Sequence, residues 1–273
     1  MTAVQALAAV HYDGVCRDRD SYNFEKQHHA CSWLIRAFVL DDERSAEALY
    51  DRAKLLSRND RPNIALRDIE RAIALSPNAA TYYWARGCLR TIVKPATKSV
   101  YQSALEDARL AEQLGATSSE FYQDMAQRHD ELKQHRQALE DADRAIAAAP
   151  SSALEVARVV RLSALAKFNA FQSLESAASA LLELSEQDWA TGIAHMYQAH
   201  ARCVAADLDG FISDLTAFAT NPNFDLRDLL DLYRDHGGYE DPITSDMASA
   251  VKQGLRRTIA LGCGHVVPPR VPG

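Results

Sequence analysis

The amino-acid sequence predicts an all-α fold built from stacked pairs of antiparallel helices. Composition is the first observation: 46 of the 273 residues are alanine, whereas only 11 are glycine and 9 are proline. Alanine is the best helix former, and glycine and proline are the residues that most weaken a helix interior. An internal repeat is the second observation, because a recurring helical phrase is typical of a helical array. Together they argue against a β-sandwich, a barrel or a disordered chain.

The repeated phrase occurs three times. It reads ALRDIERAIALSP at 65–77 and ALEDADRAIAAAP at 138–150, and a copy without the proline, ALEDARLAEQL, lies at 104–114. The first and last copies start 73 residues apart. Two periods of about 34 residues and one insertion of about five account for this spacing. The insertion is expected at 94–99, where it either widens the turn of the middle repeat or lengthens the first helix of that repeat.

This pattern resembles the tetratricopeptide repeat, a helix-turn-helix unit whose two helices touch through small residues. The three repeats run from 46 to about 79, from 80, and from 119 to 150. Prolines that close the first and third repeats stop the second helix, because proline cannot continue a helix. The small residues at the helix contacts are Ala53, Ala65 and Ala72, then Gly87, Ala104 and Ala111, then Ala126, Ala138 and Ala145. The resemblance implies a right-handed solenoid of antiparallel helix pairs with helical caps at both ends.

On this basis the chain divides into three parts. Residues 46–222 form the repeat array, in which two less regular helix pairs follow the three repeats. Residues 1–45 are expected to form a helical cap, with a short helix over 3–11, a loop over 14–23 and a helix over 24–40. Residues 223–273 are expected to form a second helical cap and a flexible tail. Such caps cover the apolar faces of terminal repeats.

Several classes of protein are not expected. The net charge of −7 and the dispersed basic residues argue against nucleic-acid and membrane-surface partners. The sequence has no apolar run of about 18 residues that would span a membrane. The apolar N-terminus lacks the basic residues of a signal peptide. Five scattered cysteines, an odd number, imply no disulfide framework, so a reducing, cytoplasmic location is expected.

The first helices of such repeats line a concave face, and large or charged residues at the facing positions are the candidate binding residues. Tyr50 and Trp84 are expected there with no role in the core, and exposed aromatic side chains make good anchors. The third repeat adds a stripe of carboxylates, and the next helix pair adds two arginines. The full set is Tyr50, Lys54, Trp84, Ile92, Asp124, Asp130, Glu131, Arg158 and Arg161. The alternative interpretation is a solvated surface, because exposed ion pairs contribute little.

One subset of the tetratricopeptide family grips the C-terminal carboxylate of chaperone peptides with lysine and asparagine side chains. The matching positions here hold Tyr50, Lys54, Ala85, Glu120 and Asp124. The clamp is therefore absent, and the third repeat carries the opposite charge. A peptide bound to this face is expected to be basic or mixed in charge, with apolar anchors.

Two small clusters of polar residues raise the question of a metal site or an enzyme. His28, His29 and Cys31 form one cluster, and Cys263 and His265 form the other. Neither cluster supplies the paired ligand sets of a zinc finger. Cys31 with His28 is a candidate nucleophile, but no nucleophile elbow, phosphate loop, metalloprotease helix or dinucleotide fingerprint occurs. We therefore expect no catalysis, no metal and no cofactor.

The sequence predicts a scaffold or adaptor that binds another protein or peptide through the concave face. Preorganised helices lower the ordering cost of such binding. The alternative is a stoichiometric inhibitor or immunity-type regulator of one enzyme or toxin, which acts through an end cap or the convex face. The identity of the partner and the presence of a homo-oligomer are left open by the sequence.

Overall fold

The computed structural model describes residues 3–17, 23–36, 41–93, 95, 97–205 and 207–221. These residues form twelve α-helices and no strand, so the predicted all-α class is confirmed. The helices are Ala3–Arg17 (α1), Phe24–Arg36 (α2), Asp42–Arg58 (α3), Pro62–Leu75 (α4), Ala80–Val93 (α5), Lys98–Gln113 (α6), Ser119–Glu131 (α7), His135–Ala148 (α8), Leu154–Lys167 (α9), Phe171–Leu184 (α10), Asp188–Val204 (α11) and Leu208–Thr220 (α12). The helices predicted within 223–273 lie outside the described residues.

The chain divides into two compact units with the boundary between Thr117 and Ser118. Helices α1–α6 form the N-terminal unit and helices α7–α12 form the C-terminal unit. Within each unit every helix packs against the next one along the chain. First helices of successive pairs also contact each other, as α7 does with α9 and α9 with α11, so they lie side by side. None of the described helices has the length and apolar character that crossing a membrane requires.

Small residues lie where the helices of each pair contact each other, as the repeat pattern predicts, and they allow the two helices to pack closely. The alanines at these contacts are at most 2% exposed: Ala53, Ala65, Ala72, Ala104, Ala111, Ala126, Ala138 and Ala145. A methyl side chain lets two helix backbones approach at the short end of the usual 8–10 Å separation. Larger side chains then fill the space on either side of the contact, for example Leu49 and Ile69 in the first repeat, which are fully buried.

The helix ends follow from local sequence. Helix α4 ends two residues before Pro77 and α8 ends two residues before Pro150, as the repeat pattern predicts. Three of the turns that join the two helices of a pair share one backbone feature. Asp60, Lys133 and Asn169 adopt the left-handed conformation, with φ between 55° and 60°, in the α3–α4, α7–α8 and α9–α10 turns. This conformation stops a helix and reverses the chain within a few residues.

The N-terminal segment differs from the expectation in two ways. Helix α1 continues through Gly14 to Arg17, whereas the sequence predicted a loop from residue 14. Cys16 and Cys31 form a disulfide that joins α1 to α2, so the expectation of no disulfide framework is wrong. The sequence did not indicate this bond. Cysteines fifteen residues apart come together here only because α1 and α2 form a helical hairpin.

Buried aspartates tie the second helix of four pairs to its neighbours. Asp68, Asp107, Asp141 and Asp214 are 3–4% exposed. Arg52 donates to Asp68, Arg86 and Arg90 donate to Asp107, His129 and Arg144 contact Asp141, and His195 and Arg202 contact Asp214, all at 2.5–3.2 Å. The hydrogen bond with Asp107 raises the pKa of the Arg86 guanidinium. The first three aspartates occupy the same place in the repeated phrase, and that recurrence is the signal that sequence reasoning overlooked.

Candidate partner-binding grooves

The C-terminal unit contains a groove between α7, α8 and α9, which we call the acidic groove. Its volume is about 660 Å³, within the ~300–1,000 Å³ range of ligand sites. The lining residues are Glu120, Gln123, Asp124, Ala126, Gln127, Asp130, Glu131, Lys133, Ala138, Val160, Ser163, Ala164 and Lys167. Four carboxylates therefore face two lysines, and side-chain amides and a hydroxyl supply further hydrogen-bonding groups.

Helix α7 presents its polar side to this groove because its other side is fixed in the core. Phe121, Tyr122 and Met125 are at most 7% exposed, and they hold the helix in one rotational setting. The six positions that the repeat pattern assigns to the concave face then all line the groove. They are Glu120, Gln123, Asp124, Gln127, Asp130 and Glu131.

The four carboxylates differ in what they already contact. Asp124 pairs with the buried guanidinium of Arg128 at 2.5 Å. Asp130 accepts a hydrogen bond from the Lys167 ammonium and lies 2.9 Å from Nδ1 of His135. Glu120 and Glu131 are exposed and form no ion pair with any described residue. These two carboxylates are therefore accessible to basic groups of a partner.

Helix α9 enters the groove in a register that differs from the expectation. It contributes Val160, Ser163, Ala164 and Lys167, whereas Arg158 and Arg161 do not line the groove. The Arg161 guanidinium instead pairs at 2.5 Å with Asp143 on α8. The buried residues of α9 are Ala157, Leu162, Ala164, Leu165 and Ala166, and the irregular spacing of small residues after Pro150 did not indicate this register. The acidic stripe and the two predicted arginines therefore do not share one groove.

The N-terminal unit contains a smaller cavity between α3, α4 and α5, which we call the apolar pocket. Its volume is about 220 Å³. The lining residues are Ala53, Lys54, Ser57, Arg58, Ile69, Ala85, Cys88, Leu89 and Ile92. Two of the predicted binding residues, Lys54 and Ile92, are brought together here. Ile92 is 60% exposed at the edge of the pocket.

The two predicted aromatic anchors lie elsewhere. Tyr50 is half-buried and packs against the core, with its ring centroid 5.3 Å from that of Tyr82. The expectation that Tyr50 has no role in the core is therefore wrong. The Lys54 ammonium lies 5.1 Å from the Tyr50 ring centroid and 3.7 Å from Asp51, whose pKa is raised by burial. Trp84 is half-buried on α5 and is not part of the pocket lining.

The cysteine of the cysteine–histidine cluster on α2, Cys31, is not a free thiol. Cys31 is fully buried and bonded to Cys16, so its sulfur is neither a nucleophile nor a metal ligand in this state. Burial and the nearby Arg52 lower the pKa of His28. In the described part of the chain no group of three or more histidine, cysteine or acidic side chains is arranged to hold a metal ion.

Comparison with known proteins identifies the fold. No protein-family model matches the sequence, and no curated protein does. Solved structures do match. YrrB, described as a TPR protein with an unusual peptide-binding site, is 20% identical with a TM-score of 0.56, over 69% of this chain and 92% of that chain. A tetratricopeptide repeat protein from Parabacteroides merdae is 12% identical with a TM-score of 0.60, over 90% and 99%. PilW, a type IV pilus biogenesis factor, is 16% identical with a TM-score of 0.57, over 78% and 93%.

The helix pairs, their alanine contacts and these matches define the class of protein. The chain has a tetratricopeptide-like fold, an all-α stack of antiparallel helix pairs, and the resemblance found in the repeated phrase is confirmed at the level of fold. Helical-repeat scaffolds of this kind present an extended face of first helices to proteins and peptides.

Proposed function

We propose that this protein is a binding scaffold whose acidic groove takes a basic segment of a partner protein. The observation that carries the proposal is the set of six residues of α7 that line one groove, four of them carboxylates. A polypeptide segment with lysine or arginine side chains complements this lining. The description of YrrB as a peptide-binding protein of similar fold supports a peptide-like ligand.

Each side of the groove has a different task in this proposal. Glu120 and Glu131 pair with basic side chains of the partner, and each such exposed pair contributes about 0.2–1 kcal/mol. The amides of Gln123 and Gln127 hydrogen-bond the partner's backbone. Val160 supplies an apolar contact on the opposite wall. Because single polar contacts are weak, affinity depends on several of them acting on a groove that is already formed.

A binding role is favoured over catalysis and over nucleic-acid binding. The described lining of the acidic groove contains no pairing of a serine or cysteine nucleophile with a histidine base. A phosphate backbone would meet a surface of the same charge, which disfavours nucleic acid. We therefore keep the expectation of no enzyme and no cofactor as part of the proposal.

The compartment in which the protein works is proposed from the cysteines. The expected cytoplasmic location depended on the absence of disulfides, and the Cys16–Cys31 bond removes that support. Structural disulfides persist in oxidising compartments. We propose that the protein acts in such a compartment, and measuring the redox state of Cys16 and Cys31 in source cells by thiol trapping tests this. Quantitative labelling of both thiols before reduction would show that the compartment is reducing.

The function is tested by capture of the partner with matched variants. Glu120→Lys together with Glu131→Lys reverses the two unpaired charges of the groove. Glu183→Lys together with Glu186→Lys makes the same change of net charge at exposed positions outside it. The partner captured by the unaltered protein from source cells, identified by mass spectrometry, is expected to bind the control normally and the groove variant at least tenfold more weakly. Equal binding by both variants would show that the groove is not the site.

The same experiment separates the scaffold from the alternative of a stoichiometric inhibitor. A scaffold is expected to capture several proteins that share a basic segment. One tightly bound enzyme or toxin in a one-to-one complex, with its activity suppressed, would favour the inhibitor. The acidic groove is compatible with a basic target of that kind, so the number of partners and their activity decide between the two.

A further inference from the structure

The apolar pocket of the N-terminal unit has a floor made of core residues. Ala53, Ile69 and Leu89 are at most 5% exposed, and their side chains form the bottom of the cavity. Ile92 stands at the edge with more than half of its surface in water. The pocket has a volume of about 220 Å³. It is smaller than the ~300 Å³ lower limit of cofactor sites, so its size suits one aliphatic side chain.

Two cations stand at the edge of this pocket. Lys54 and Arg58 lie one helical turn apart on α3, and both line the cavity. Arg58 is exposed and forms no ion pair within the described residues. Lys54 has a weak partner, because its ammonium is 3.7 Å from Asp51, which does not itself line the pocket. The described lining contains no carboxylate, so the charge at the edge is positive.

We propose that the apolar pocket binds an aliphatic side chain of an acidic protein segment, with the neighbouring carboxylates of that segment paired to Arg58 and Lys54. Charge complementarity favours this occupant: the apolar floor accommodates the aliphatic group, and the two cations at the edge favour carboxylates beside it. The chaperone clamp is a different arrangement, because its lysine and asparagine positions are occupied by other residue types in this chain.

The proposal extends the function proposed above to a second site of opposite charge preference. The acidic groove is built from α7, α8 and α9, and the apolar pocket from α3, α4 and α5, so the two sites share no residue. A variant that abolishes binding at one site is therefore expected to leave binding at the other site intact. The two proposals can thus fail independently of each other.

The test uses the full chain and a defined peptide probe, acetyl-Gly-Asp-Glu-Leu-Glu-Asp-Gly-Ser amide, labelled for fluorescence anisotropy. We expect saturable binding that shifts the methyl NMR signals of Ile69 and Ile92. Replacement of the peptide's leucine by serine is expected to weaken binding about tenfold, because the apolar side chain is then lost. A peptide in which lysines replace the four acidic residues is expected not to bind.

Two pairs of protein variants locate the interaction. Arg58→Glu is expected to weaken binding about fivefold, and Arg67→Glu, the same charge reversal at an exposed position of α4, to leave it unchanged. Ile92→Ser is expected to weaken binding about tenfold, and Ile64→Ser, at another exposed isoleucine, to have no effect. Equal losses within either pair, equal binding of the leucine and serine peptides, or no saturable binding would each overturn the proposal.

Discussion

Removal of the Asp107 carboxylate is the perturbation that best tests why the helix pairs hold together. Asp107 is 4% exposed and accepts hydrogen bonds from Arg86 and Arg90 of the preceding helix at 2.5–3.1 Å. Alanine at this position leaves two guanidinium ions facing a site with no counter-charge. Removing one partner of a buried ion pair costs about 3–5 kcal/mol.

The partial exposure of the two arginines places the expected cost at the lower end of this range. The side chains of Arg86 and Arg90 are 21% and 26% exposed, so water reaches both guanidinium groups once the carboxylate has gone. We therefore expect Asp107→Ala to cost about 3 kcal/mol, the lower end of the range. Against a typical total of ~5–15 kcal/mol, this is a large fraction of the stability of a domain.

Asp143→Ala is the matched control. Asp143 also pairs with an arginine, Arg161 at 2.5 Å, but its side chain is 54% exposed. We expect this variant to cost no more than about 1 kcal/mol, and the gain in helix propensity is the same in both variants. Urea denaturation followed by circular dichroism gives the difference, provided the slopes agree. A cost below about 1 kcal/mol for Asp107→Ala would refute the view that the buried aspartates hold the pairs together.

Three further predictions concern the alanine contacts, the disulfide and one buried acid. Ala145→Leu places a larger side chain in a fully buried helix contact and is expected to lower the stability by about 1–3 kcal/mol. Ala147→Leu, on the exposed side of α8, is expected to change the stability little. Equal melting temperatures of the two variants would contradict close packing at Ala145. Replacing Cys16 and Cys31 by serine opens a loop of fifteen residues and is expected to cost about 3 kcal/mol in denaturant titrations; an unchanged midpoint would mean that the bond does not stabilise the hairpin. Burial raises the pKa of Asp51, so protonated Asp51 stabilises the fold below its ordinary pKa, and this stabilisation is lost as the pH rises through the raised pKa. Asp51→Asn is therefore expected to raise the melting temperature near about pH 7 but not near about pH 3. A lower melting temperature of this variant at neutral pH would contradict the expectation.

Much of the fold was predictable because helical packing leaves a periodic record in the sequence. A small residue at fixed positions of each repeat is required where two backbones approach closely, and Ala53, Ala65 and Ala126 were identified on that basis and are buried. The residues of α7 that line the acidic groove are those that the resemblance to the tetratricopeptide repeat assigns to the concave face. Where the small residues lose their spacing, after Pro150, the register of α9 was predicted incorrectly.

Other features depended on information that is not local in the chain. The Cys16–Cys31 bond requires the α1–α2 hairpin, which no repeated phrase indicates. The role of Tyr50 depended on Tyr82, a residue thirty-two positions away, with which it packs. Two lining residues of the apolar pocket, Lys54 and Ile92, were predicted as binding residues. That Arg58 lies beside them at the same pocket followed only from the packing of α3, α4 and α5.

The most direct test of binding through the acidic groove is carboxyl footprinting of the complex with the captured partner. Carbodiimide coupling modifies exposed carboxylates, and mass spectrometry measures the rate at each residue. We expect modification of Glu120 and Glu131 to slow severalfold in the complex, while Glu183 and Glu186 react at the rate of the unbound protein. Unchanged rates at Glu120 and Glu131, with protection elsewhere, would contradict the proposed function.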